Sequence, residues 1–111
     1  MIEKNKFNQE EIDQFDHLII KDFSLRDNDS MQLFSGSEHL RKRLKMVIAY
    51  LLQHDFNRLV NAMYRLDVKE SLFHEAMSLG VPEQVVDRLA DIVLEREWQK
   101  VRTRLFFKRN K

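Results

Sequence analysis

The sequence predicts an all-α fold, a compact bundle of four to five helices with an extended C-terminal helix. Two glycines and one proline in 111 residues leave little material for hairpin turns. Leu, Glu, Lys, Arg and Gln, all good helix formers, are abundant. No stretch alternates apolar and polar residues long enough to make a strand. With 43% hydrophobic and 33% charged residues the composition suits a folded chain, and its length suits one modest core. Residues 1–7 read as a tail and residues 8–111 as a single helical domain.

Helix one is expected over about residues 9–22. Asn8 with Glu11 offers a cap and its partner, and Ile12, Phe15, Ile19 and Phe23 follow at helical spacing. The connection over 24–37, rich in Ser, Asp and Asn, is expected to be held to the core by Met31, Leu33 and Phe34. Ser35 with Glu38, or Ser37 alone, caps a second helix whose apolar line is Leu40, Leu44, Val47, Ile48 and Leu51. The next apolar set, Phe56, Leu59, Val60 and Met63, is rotated by about 100° from the first, so one straight helix cannot serve both. That places a break at Gln53 to Asp55, with Asp55 capping a third helix.

Asp67 with Glu70 repeats the cap signature and predicts a short fourth helix carrying Leu72, Phe73, Ala76 and Met77 inward and ending at Gly80. The neighbouring Tyr64 and Arg65 read as a structural corner, the tyrosine half-buried and the arginine paired with a carboxylate. Pro82 and Glu83 open the last and longest helix.

Along that last helix Val85, Val86, Ile92 and Val93 lie within about 60° of Leu89, as a core-facing side should. Beyond Leu94 this side is taken by Arg96, Lys100 and Arg104, while Leu94, Trp98, Val101 and Leu105 gather about 145° away. A helix exchanges faces in this way when it leaves one partner and meets another. The second partner is the chain's own first helix or the loop after it, another protein chain, or a nucleic acid or membrane surface. Leu94, Trp98, Val101 and Leu105, with Phe106 beside them, make a helix-in-groove interface with the tryptophan as anchor.

Charge alternates along the chain. Residues 1–37 balance to −4, 38–66 to +4, 67–94 to −4 and 95–111 to +5, giving a net +1. The plain explanation is that helices of opposite sign pack together. The alternative is a nucleic-acid face over segments 41–45 and 96–111, where Arg41 joins a ladder of Arg96, Lys100, Arg104 and Lys108 that could follow a phosphate backbone. No base-reading motif accompanies it.

Chemistry is sparse. The four histidines, His17, His39, His54 and His74, include no pair at helical metal-ligand spacing. The glycines are too far apart for a phosphate cradle, and no serine sits in a nucleophile elbow. The expectation is therefore a protein with no enzymatic activity, cofactor or metal, acting by protein association and most simply as a homodimer. Zero cysteines and the lack of a long apolar run point to the cytoplasm with no membrane span.

Overall fold

The computed structural model describes residues 9–24 and 40–109, and all of the regular structure there is helical. The order is α1 (Gln9–Asp22), α2 (Leu40–His54), α3 (Phe56–Arg65), α4 (Glu70–Met77) and α5 (Pro82–Arg109). The expected docking of Met31, Leu33 and Phe34, and the caps at Asn8, Ser35 and Ser37, fall outside the described residues.

The helix breaks follow local chemistry. Asp55 separates α2 from α3: its own N–H still bonds to the Leu51 carbonyl at 2.9 Å, while its side chain accepts from the Arg58 N–H at 3.2 Å. An aspartate there satisfies one of the donors that a new helix leaves open.

Asp67 departs from expectation. It caps nothing ahead of it, and α4 begins after Lys69 without a side-chain cap. Instead, Asp67 takes φ 58° and closes α3. Its N–H bonds to the Tyr64 carbonyl, and the Val68 N–H reaches back to the Met63 carbonyl, both at 3.0 Å. This paired closure is a Schellman motif, which requires a left-handed residue at that point, and aspartate tolerates the conformation better than most. Termination of the preceding helix thus takes the residue that the local pattern assigns to starting the next one. The corner is also more open than expected, with Tyr64 84% exposed. Among the described residues Arg65 meets no carboxylate; its guanidinium donates to Ser24 and to the carbonyls of Lys21 and Asp22, closing the C-terminus of α1.

Gly80 turns the chain from α4 into α5 at φ 80°, a conformation glycine adopts without a Cβ penalty. Pro82 then supplies the first position of α5, where its missing N–H costs no helical bond. At 28 residues α5 is about 42 Å long, close to the 43 Å long axis of the molecule. It is the hub of the bundle, since α1, α2 and α4 all pack on it, and α3 packs on α2.

One core joins all five helices, from Phe15, Ile19 and Phe23 of α1 through Leu44, Ile48 and Leu51 of α2 to Leu59 of α3, Ala76 of α4 and Leu89 and Val93 of α5. Of the third helix's apolar set Leu59 and Met63 are buried, whereas Phe56 and Val60 are partly exposed, at 42% and 39%. No helix among the described residues is long and apolar enough to cross a membrane.

Candidate functional site

On α5 every fourth residue from Val85 to Leu105 is buried: Val85, Leu89, Val93, Glu97, Val101 and Leu105. A row spaced by four turns about 40° further round the helix at each step, so an obliquely crossing neighbour can follow it. This row dissolves the apparent exchange of faces. The two apolar stripes are one stripe that drifts, and the partner on its second half is α1.

The proposed interface therefore needs correction. Leu94, Val101 and Leu105 belong to the chain's own core, and Trp98 packs against that core with its ring stacked on Phe15 of α1, centroids 5.9 Å apart. Of the five residues only Phe106 lies open, 60% exposed and edge-on to Phe107. Leu94, Val101 and Leu105 are buried within the chain, and Trp98 is half-buried against α1.

The basic residues are also partly engaged. Arg41 donates to Asp91 at 2.9 Å, and Lys45 lies 2.6 Å from Asp87, so the basic start of α2 is clasped to an acidic stretch of α5. Arg96 bonds to the Leu66 carbonyl at 2.8 Å and to the side chain of Gln99. Lys100 reaches Asp22 of α1 at 2.7 Å. Arg104 and Lys108 remain exposed. The ladder is thus interrupted at Arg96 and Lys100, and Arg41 belongs to a different contact. No family model, curated protein or solved structure matches this chain.

Two features stand apart from ordinary packing. The first is Glu97, the charged member of the buried row. It is fully buried, and neither carboxylate oxygen receives a hydrogen bond. Its polar neighbour on α1 is another buried carboxylate, Asp22, and two carboxylates bond only through a shared proton. Burial, and then the nearby Asp22 charge, push the Glu97 carboxyl up to about 8, with Lys100 opposing. Reading apolar residues alone missed Glu97. Its signal was its place in the row of four.

The second is a groove of 670 Å³ between the outer side of α2 and the start of α5. Met46, Ala49 and Leu52 line it from α2, and Pro82 and Val86 from α5. Its edges differ in sign, with Lys42 and Lys45 on the α2 side and Glu83 on the α5 side. Leu79 and Val81, in the turn before Pro82, are exposed as well. Among the described residues no three metal-ligating side chains converge.

Proposed function

We propose that this protein acts in the cytoplasm by protein association and not by catalysis, and that its docking face is the groove between α2 and the start of α5. The observation that carries this is the gathering of Met46, Ala49, Leu52, Pro82 and Val86 around one open hollow. Apolar side chains collected at one place on a surface mark a contact site, whereas singly scattered ones do not.

The occupant is a second copy of the chain. A two-fold contact is self-complementary, and the groove's edges suit it: the lysine edge of one copy, at Lys42, comes to the glutamate edge of the other, at Glu83. The C-terminal helix thus contributes its beginning to the interface, and its end to the core.

Light scattering after size exclusion tests this, with Ala49→Glu as the variant because Ala49 is exposed on α2 and its replacement leaves the core untouched. The expected result is twice the 13.5 kDa chain mass for the native protein and the single mass for the variant, with equal helix content by circular dichroism. A native monomer at tens of micromolar would overturn the second copy as occupant.

A nucleic-acid reading rests on the end of α5 alone, where Phe106 and Phe107 stand exposed beside Arg104 and Lys108. It requires binding that weakens steeply with salt and with removal of those two cations.

A further inference from the structure

Buried titratable groups concentrate at the junction of α1 with the second half of α5. There Glu97 is fully buried and Asp22 is 4% exposed, on helices that face each other. Asp22 already has a cation, the Lys100 ammonium at 2.7 Å, and Glu97 has no donor. Ionised, Glu97 would be a buried anion beside a second anion with one lysine between the two. Protonated, it can donate to Asp22, and the three groups then carry no net charge. We propose that Glu97 keeps its proton in the fold and donates it to Asp22 as a latch, and that loss of this proton to solvent releases the last turns of α5 from α1.

The surroundings set the direction. Among the described residues, Lys100 and Asp22 are the charges that act on Glu97, and the like charge of Asp22 outweighs the lysine. Lys21 of α1 and Arg96 and Arg104 of α5 line the surface hollow beside this junction. From α2, Arg43 goes to Asp16, further back along α1, and from α3, Arg65 goes to the carbonyls of Lys21 and Asp22. None of these gives Glu97 a donor. The latch therefore opens on the alkaline side of neutrality.

The chain carries its own reporter. Trp98, its one tryptophan, follows Glu97 directly and stacks on Phe15 across the same junction. Its emission should move to the red between pH 6 and 9.5 with a midpoint near 8. Glu97→Gln keeps the shape and supplies a permanent donor, so its emission should stay constant over that range. Asp22→Asn removes the like charge and adds a donor, so its step should shift to lower pH. Should Glu97→Gln fail to fold, the direction of the Asp22→Asn shift decides. Constant emission in the native protein, the same step in Glu97→Gln, or an unmoved midpoint in Asp22→Asn would each overturn the latch.

Discussion

Two aspartates show how far a single residue can be read without its surroundings. Asp55 and Asp67 both look like helix caps. Asp55 is one, because its partner, the Arg58 N–H, is three residues away and the interaction is local. Replacing Asp55 with Ala should cost about 1 kcal/mol in urea unfolding, the usual worth of such a cap. Asp67 follows a helix that must also be ended, and the left-handed turn at φ 58° takes it. No side-chain property distinguishes the two positions; the difference lies in the Met63 and Tyr64 carbonyls that the turn must satisfy. Asp67→Gly should therefore preserve or raise stability, and Asp67→Val should lower it by about 1–3 kcal/mol, because a β-branched residue is strained there. A capping aspartate would give a loss for both.

At the scale of the element, α5 was legible as a helix from Pro82 onward but not as a packing surface. Apolar residues counted alone fall into two stripes, and the second resembles an interface looking for a partner. The row Val85, Leu89, Val93, Glu97, Val101 and Leu105 becomes visible only once a charged residue is admitted to it. Composition offers no reason to admit one, since glutamate is almost never fully buried without a partner. Leu105→Ala separates the two descriptions. As a core residue it should cost about 2–5 kcal/mol of stability and leave the molecular mass unchanged. As an interface residue it would change the mass and leave the unfolding midpoint of the monomer in place. The same packing makes α5 the main support of α1. A chain cut after Leu94 should lose the α1 helix too, seen as a fall in helical ellipticity larger than the removed residues explain.

For the whole molecule, alternating charge holds helices together among the described residues: Arg41 and Lys45 against Asp87 and Asp91, and Lys100 against Asp22. The sign of each block was legible in sequence, and the pairing was not, because it depends on which faces the core turns toward each other. This arrangement fixes the response to pH. The Asp87 carboxyl is held below its usual value, chiefly by the Lys45 bond, so its contribution is lost only as pH falls below about 3.8. Glu97 behaves oppositely. Its proton is released at about 4.5 when exposed and at about 8 in the fold. Between those values the folded state binds more protons than the unfolded one, and stability must fall as pH rises. The Asp16 carboxyl, raised by burial despite its pairing with Arg43, contributes a fall of the same sign as pH rises above its ordinary 3.8. The limiting slope for one such group is about 1.4 kcal/mol per pH unit. Urea midpoints should accordingly decline from pH 5 to 8 and level off above it, with Glu97→Gln removing most of the decline. A native midpoint that rises or stays level from pH 5 to 8 would show that Glu97 is ionised in the fold, a state its surroundings leave without a hydrogen-bond donor.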